Sequence, residues 1–122
     1  MPNASLSDML GLTFVDVTGQ EGAEELVFTA EDGRKFIFYH EQDCCEDVKI
    51  EEVWGNLTDL TGRPLTLAEE VTGHTEAGEW ESMTWTFYHF GTDRGVVTVR
   101  WLGQSNGYYS ESVDLRVEKV NG

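Results

Sequence analysis

The sequence predicts an α+β domain: a twisted antiparallel sheet of about six strands, with one or two short helices inserted between strands three and four. Two observations favour this class. Runs rich in Val, Phe, Ile, Tyr and Thr alternate with turn residues along most of the chain. An acidic stretch with possible helix-capping residues, 46–73, interrupts these runs. The 122 residues suit a single domain, 1–122, with one hydrophobic core.

The first three strands are predicted in the amino-terminal third. The segment "LTFVDVTG" (12–19) places Val15 and Val17 on one face of a strand. The clearest hairpin is "ELVFTAEDGRKFIFYH" (25–40), in which two apolar runs flank Glu31-Asp32-Gly33. An Asp-Gly pair supplies the positive φ that a tight turn needs. We therefore expect strands two and three to pair directly.

The acidic stretch 46–73 is where the helices are expected. Asn56, Thr58 or Asp59 could cap a short helical turn. Pro64 suits the first turn of a helix over "PLTLAEEV", and Gly73 is a natural end for it. Residues 74–81 are predicted to form an exposed loop.

Three further strands are predicted at 82–90, 95–103 and 108–120. Their connections, residues 91–95 and 103–107, are rich in glycine and polar residues, as in antiparallel hairpins. The stretch "TVRWLGQSNGYYSESV" (98–113) is thus expected to be two paired strands around a bend at Asn106-Gly107.

Alternation assigns the side chains of these three strands to two faces. Trp85, Phe87 and His89 share one side of the fourth strand, which is predicted to face the core, and Thr84, Thr86 and Tyr88 share the polar side. The apolar sides of the next two strands, to be buried in a core, carry Val97, Val99 and Trp101, then Val113, Leu115 and Val117. The opposite sides carry Thr98 and Arg100, then Ser110, Ser112, Asp114 and Arg116.

The polar face has two interpretations. It could be an ordinary wetted surface, because Thr and Tyr suit strands. It could instead be a pocket or subunit interface that binds a nucleotide, with arginines on phosphates and tyrosines stacked on a base. The candidate ligand residues under the second interpretation are Tyr88, Arg94, Arg100, Asn106, Tyr108, Tyr109, Ser110 and Arg116.

The charge balance restricts the partners. The formal net charge is −15, and residues 1–80 hold 18 of the 23 acidic residues but only 4 of the 8 basic ones. Such a chain repels nucleic acid and anionic membranes, which disfavours binding to DNA or RNA duplexes. An anionic ligand would be held by the carboxy-terminal third. The acidic remainder is a solubilising surface or, alternatively, that of an acidic DNA-mimic inhibitor.

No catalytic, metal or cofactor site is predicted, although "HEQDCCED" (40–47) contains several possible zinc ligands. A zinc site needs a second ligand pair, and the acidic surroundings of Cys44 and Cys45 disfavour a reactive thiolate. The adjacent cysteines imply no disulfide framework. No signal peptide or membrane span is predicted, so a cytoplasmic location is expected.

Four strings resemble a known family: "FYHEQDCCEDVKI", "LAEEVTG", "TWTFYHFGTDRGVVTVRW" and "SNGYYSESVD". Together they are similar to small phage and prophage proteins related to the first Thoeris anti-defence proteins. The resemblance covers about residues 38–114. It implies a non-enzymatic sponge that binds a cyclic ADP-ribose isomer, the immune signal of TIR-domain enzymes, in the cytoplasm of an infected bacterial host.

The resemblance also implies a homo-oligomer built from dimers, and some members hold cyclic oligonucleotides at a second site. Two other hypotheses stay open beside the sponge. One is an acidic interaction protein that inhibits a host protein directly. The other is a small zinc protein centred on His40 and the cysteine pair.

Overall fold

The computed structural model describes residues 5–41, 46–76, 82–105 and 111–119. Within these ranges the chain forms eight strands: β1 (Phe14–Thr18), β2 (Glu25–Ala30), β3 (Lys35–Tyr39), β4 (Asp47–Trp54), β5 (Leu67–Glu76), β6 (Ser82–Thr92), β7 (Gly95–Ser105) and β8 (Asp114–Glu118). Single-turn 3₁₀ helices cover Leu6–Met9 and Leu57–Leu60. No helix in the described ranges is long and apolar enough to cross a bilayer.

The strands form two antiparallel sheets rather than the single sheet that was predicted. The first sheet has the order β1-β2-β3-β8 and the second has the order β4-β7-β6-β5. Aromatic rings join the two sheets, with Phe28 of β2 4.8 Å from Phe90 of β6 and Phe38 of β3 4.8 Å from Tyr88 of β6, measured between ring centroids. The core therefore lies between the sheets, and the chain is sheet-rich rather than clearly α+β.

Two predicted hairpins are confirmed. The β2–β3 hairpin turns at Asp32-Gly33, where Gly33 has φ 95° and the Arg34 N–H donates to the Asp32 carboxylate at 3.0 Å. That N–H holds the pKa of Asp32 below its usual range. The β6–β7 hairpin turns at Asp93-Arg94 and pairs both strands along their whole length. Local turn chemistry determined both connections.

The helix predicted over "PLTLAEEV" is wrong, because most of this segment belongs to strand β5. Residues from Leu67 to Glu76 pair continuously with β6, and Pro64 forms an isolated bridge with Thr13. Without β5, one edge of β6 would expose its backbone N–H and C=O groups, and pairing outweighs local helix propensity. The helical turn predicted near Asn56 is confirmed, since its side chain accepts the Thr58 N–H at 3.0 Å.

The hairpin predicted over residues 98–113 is also wrong. Strand β7 is central in its sheet, with β4 on one side and β6 on the other, so it has no free edge for β8. Strand β8 pairs with β3 in the first sheet, where Leu115 lies opposite Phe38. Its predicted inward side is nevertheless confirmed, because Val113, Leu115 and Val117 pack against the core. The bend at 106–107 lies outside the described residues.

The face assignment of β6 must be reversed. Thr86, Tyr88 and Phe90 point into the core, whereas Trp85 and Phe87 lie half-buried on the outer side. The register with β7 decides this, because Tyr88 lies opposite Val99, which is fully buried. Alternation along β6 alone could not choose, since both of its sides are rich in aromatic residues.

Strand β1 departs from its predicted pattern for a different reason. Its register with β2 shifts between Phe14 and Asp16. Phe14 is consequently buried and Val17 packs against the core, whereas Val15 is 58% exposed. The inserted residue breaks the alternation that had placed Val15 and Val17 on one face.

Candidate functional site

A polar groove lies between the two sheets, where the inner faces of β5 and β6 meet the residues that lead into β8. It consists of two adjoining cavities of about 380 and 280 Å³ that share Glu70 and Val113. The larger is also lined by Ser5, Leu6, Phe38, Tyr88, Asp114 and Leu115, and the smaller by Thr72, Thr84, Thr86, Glu111 and Ser112. Hydroxyl and carboxylate groups predominate in the smaller cavity. We call these two cavities the inter-sheet groove.

Tyr88 anchors one end of the inter-sheet groove. It lies directly opposite Glu70 in the pairing of β5 with β6, and its hydroxyl donates to the Glu70 carboxylate at 2.5 Å. Burial raises the pKa of Tyr88 far above its usual value, and the Glu70 and Asp114 carboxylates raise it further. The tyrosine therefore keeps its proton and acts as a donor, while Glu70 acts as an acceptor.

Glu111 lies at the other end and is only 7% exposed. The Thr84 hydroxyl donates to one of its carboxylate oxygens at 2.7 Å, and the Ser105 hydroxyl donates to the other. Gly103 permits this close packing, because a Cβ there would stand 2.7 Å from the backbone oxygen of Glu111. The groove is thus rich in fixed acceptors, which suit the hydroxyl or amino groups of a ligand.

Among the predicted ligand residues that the structure describes, only Tyr88 lines the inter-sheet groove. Arg100 lies on the outer side of the second sheet, so the sheet itself separates it from Tyr88. It pairs with Glu51 and, at 3.1 Å, with Glu52, and its guanidinium lies 5.0 Å from the centroid of the Trp54 ring. An anionic ligand at Arg100 would have to compete with two carboxylates.

The remaining predicted residues lie elsewhere. Arg116 is on the first sheet, 4.3 Å from the Tyr39 ring centroid and paired with Glu118 at 3.2 Å. Arg94 is exposed in the β6–β7 turn. Asn106, Tyr108, Tyr109 and Ser110 lie outside the described residues. The structure does not bring Tyr88, Arg100 and Arg116 together.

A comparison with protein-family models matches residues 7–115 to a domain of unknown function, DUF7448. The chain belongs to the DUF7448 family. No curated protein and no solved structure gives a significant match. The family description names no activity, so a function for this DUF7448 domain has to be argued from its residues.

The alternative zinc site of this DUF7448 domain would be centred on His40 and the cysteine pair. The His40 Nδ1 lies 2.7 Å from the Ser112 carbonyl oxygen, and its Nε2 lies 3.4 Å from a carboxylate oxygen of Glu46. Both side chains are buried. No group of three or more possible metal ligands occurs among the described residues, and Asp43, Cys44 and Cys45 are outside them. The zinc alternative depends on these three residues and stays a hypothesis.

Sequence reasoning missed two features of the DUF7448 domain. Glu111 was not singled out, and only its tertiary contacts with Thr84 and Ser105 reveal its position. The apolar outer side of β6 was assigned to the core. One signal was available in the sequence, since Trp85, Phe87, Tyr88 and Phe90 put aromatic rings on both sides of one strand. Such a strand contacts apolar partners on both faces or leaves one apolar face exposed.

Proposed function

We propose that the protein is a phage-type anti-defence sponge that sequesters a cyclic ADP-ribose isomer without degrading it. Two things support this function. The four strings of residues 38–114 resemble the Thoeris anti-defence family. The inter-sheet groove, which carries the proposal structurally, offers carboxylate acceptors: Glu70 and Asp114 in the cavity that Tyr88 lines, and Glu111 in the adjoining one. Carboxylates are common partners of ribose hydroxyls in nucleotide sites.

The same carboxylates determine how the ligand is oriented. A pyrophosphate inside the groove would be repelled by Glu70, Glu111 and Asp114, so we place the riboses inside and the pyrophosphate at the mouth. The net charge of −15 adds to this repulsion at long range. We therefore expect affinity for the cyclic nucleotide to rise with ionic strength, which is opposite to the behaviour of a basic phosphate site.

The decisive experiment incubates the purified protein with the product of a TIR-domain enzyme. A sponge removes the signal from a downstream effector assay and returns it chemically intact when the protein is denatured by heat. A thermal-shift panel of cyclic nucleotides identifies the ligand, because a bound ligand raises the melting temperature. If no cyclic nucleotide raises it, the proposal fails, and recovery of an altered product would indicate an enzyme instead.

A matched pair of variants tests the location. Thr72→Phe places a ring in the inter-sheet groove, whereas Val71→Phe places the same ring on the opposite face of β5. We expect Thr72→Phe to abolish the ligand-induced thermal shift and Val71→Phe to retain it. Equal loss in both variants would place the site elsewhere.

The proposal includes the assembly and location that the family resemblance implies. These are a homo-oligomer built from dimers and the cytoplasm of an infected bacterial host. Sedimentation velocity with and without the ligand measures the assembly directly. A monomer that binds one cyclic nucleotide would keep the sponge function and remove the oligomer from the proposal.

A further inference from the structure

The outer side of the second sheet is unusually apolar for a surface. We call it the aromatic face and define it by Trp54, Val71, Met83, Trp85, Phe87 and Leu102. Trp54 is 42% exposed and Val71 is 51% exposed, and Val96 on the same side of β7 is 58% exposed. These are three of the five large hydrophobic side chains that are exposed in the described part of the chain. A group of exposed apolar side chains on one face marks an interaction surface.

The centre of the aromatic face is concave. A depression of about 590 Å³ is lined by Trp85, Phe87 and Leu102 and bounded by Gly73. A Cβ on Gly73 would meet no atom within 4 Å, so the missing side chain leaves open space opposite Trp85. The depression can accept an apolar side chain from a partner.

Carboxylates outnumber cations on this side of the second sheet. Lys49 of β4 lies opposite Leu102 and pairs with Asp47 at 3.4 Å, which leaves Glu51, Glu52 and Glu69 against one arginine. Glu52 lies opposite Arg100, and a register shift in β4 places Glu51 beside it, so one guanidinium faces two carboxylates. Glu69 adds a third carboxylate on the same side of β5, opposite His89. The single arginine of this group is therefore neutralised within the chain, and the rim of the face attracts cations.

We infer that the aromatic face docks a basic segment of another protein, with an apolar side chain in the depression and Lys or Arg side chains beside Glu51 and Glu69. Charge complementarity carries the choice of partner: the rim is acidic, and the net charge of −15 steers basic partners toward the molecule. Two copies of this face would bring like charges together, which disfavours self-association here. This inference is independent of ligand binding in the inter-sheet groove.

The test uses a synthetic peptide that alternates leucine and lysine over about ten residues, long enough to span the face. Two peptides of equal length serve as controls, one alternating leucine and glutamate and one alternating serine and lysine. Binding is measured by calorimetry and by the intrinsic tryptophan fluorescence of the protein, to which Trp54 and Trp85 contribute. We expect only the leucine–lysine peptide to bind appreciably. Equal binding of the leucine–glutamate peptide, or of the serine–lysine peptide, would overturn the inference.

Val71→Arg and Val15→Arg are matched variants that test where the peptide binds. Both valines are more than half exposed and lie on edge strands, but Val15 belongs to the first sheet. Both changes add one positive charge, so they alter long-range attraction equally. We expect Val71→Arg to weaken peptide binding by about tenfold or more and Val15→Arg to change it by less than about twofold. Equal weakening in both would show that attraction is non-specific.

A second variant fills the depression without changing charge. Gly73→Val adds a β-branched side chain in open space on strand β5, so the fold is retained, which circular dichroism checks. We expect it to weaken binding of the leucine–lysine peptide, and unchanged affinity would contradict docking into the depression. If the wild-type protein sediments as a dimer and Val71→Arg as a monomer, the occupant is a second copy and the basic partner is excluded.

Discussion

Tyr88 shows how one residue joins the core to the polar groove. Its ring stacks with Phe90 at 5.8 Å between centroids and packs on Phe38 of the first sheet. Its hydroxyl reaches Glu70 on the neighbouring strand. The side chain is 1% exposed, so the hydroxyl needs a partner, and Glu70 supplies it. Tyr88 is therefore a structural residue of the groove whether or not it touches a ligand.

Replacing Tyr88 with Phe should change the pH dependence of stability. The unfolded chain releases the tyrosine proton at the ordinary pKa of about 10, whereas the folded state keeps it because burial raises the pKa of Tyr88. The stabilisation is complete below that pH and is lost as the pH rises above it. At neutral pH, Tyr88→Phe should lower the free energy of unfolding by about 0.5–1.5 kcal/mol through the lost hydrogen bond.

Urea unfolding of both proteins between about pH 8 and pH 11 measures this difference. The wild-type free energy of unfolding should fall more steeply above about pH 10 than that of Tyr88→Phe, which lacks the titrating group. Parallel curves would mean that the Tyr88 hydroxyl titrates normally in the folded protein. Tyr39→Phe is a suitable control, because this tyrosine is only partly buried and lies on the first sheet.

At the scale of elements, two strand glycines have opposite roles. Gly103 in β7 lies so close to Glu111 that a Cβ would meet its backbone oxygen at 2.7 Å. A Cβ on Gly73 in β5 would instead meet no atom within 4 Å. Neither has a positive φ, so a side chain at either position is compatible with the local backbone. The difference between them is therefore one of packing.

Gly103→Ala should destabilise the protein by about 1–3 kcal/mol, because the segment at Glu111 has to move. Gly73→Ala should leave the stability unchanged or raise it by about 0.4–1 kcal/mol, since it reduces the freedom of the unfolded chain. Thermal unfolding of the two variants measures both effects. If Gly103→Ala leaves the free energy of unfolding unchanged, Glu111 does not pack tightly against β7.

The elements also show the limit of sequence reasoning. Turn residues such as Gly33 and the Asp93-Arg94 pair correctly predicted two hairpins, because tight turns are determined by local φ, ψ preferences. Strand β5 was predicted as a helix and β8 was assigned to the wrong partner. Both errors concern pairings between distant segments, which depend on the edges that the rest of the sheet leaves free. The inter-sheet groove depends on those pairings. Of the predicted ligand residues that the structure describes, only Tyr88 lies in it.

At the scale of the whole molecule, the charge of −15 opposes compaction. Added salt screens this repulsion, and the Debye length falls from roughly 30 Å at about 10 mM to roughly 10 Å at about 100 mM. The ion pairs of Arg34 and Arg63 are partly exposed and contribute little. We therefore expect the melting temperature to rise by a few degrees over this range of sodium chloride.

Differential scanning calorimetry at fixed pH measures the effect. Repeating the scan with potassium chloride controls for binding of a specific cation, because screening depends only on ionic strength. A melting temperature that falls with salt would show that attractive ion pairs such as Arg100 with Glu51 and Glu52 outweigh the repulsion.

The sequence by itself determined the strand-rich character, the tight turns, the inward sides of β7 and β8, and the acidic charge. These properties follow from side-chain periodicity, local backbone preferences and composition, each of which acts within a few residues or over the chain as a whole. Only the tertiary structure decided the division into two sheets, the face on which Tyr88 lies, and the separation of Arg100 from Arg116. The physical reason is that strand partners compete for a limited number of edges, and that competition is settled by the whole core at once.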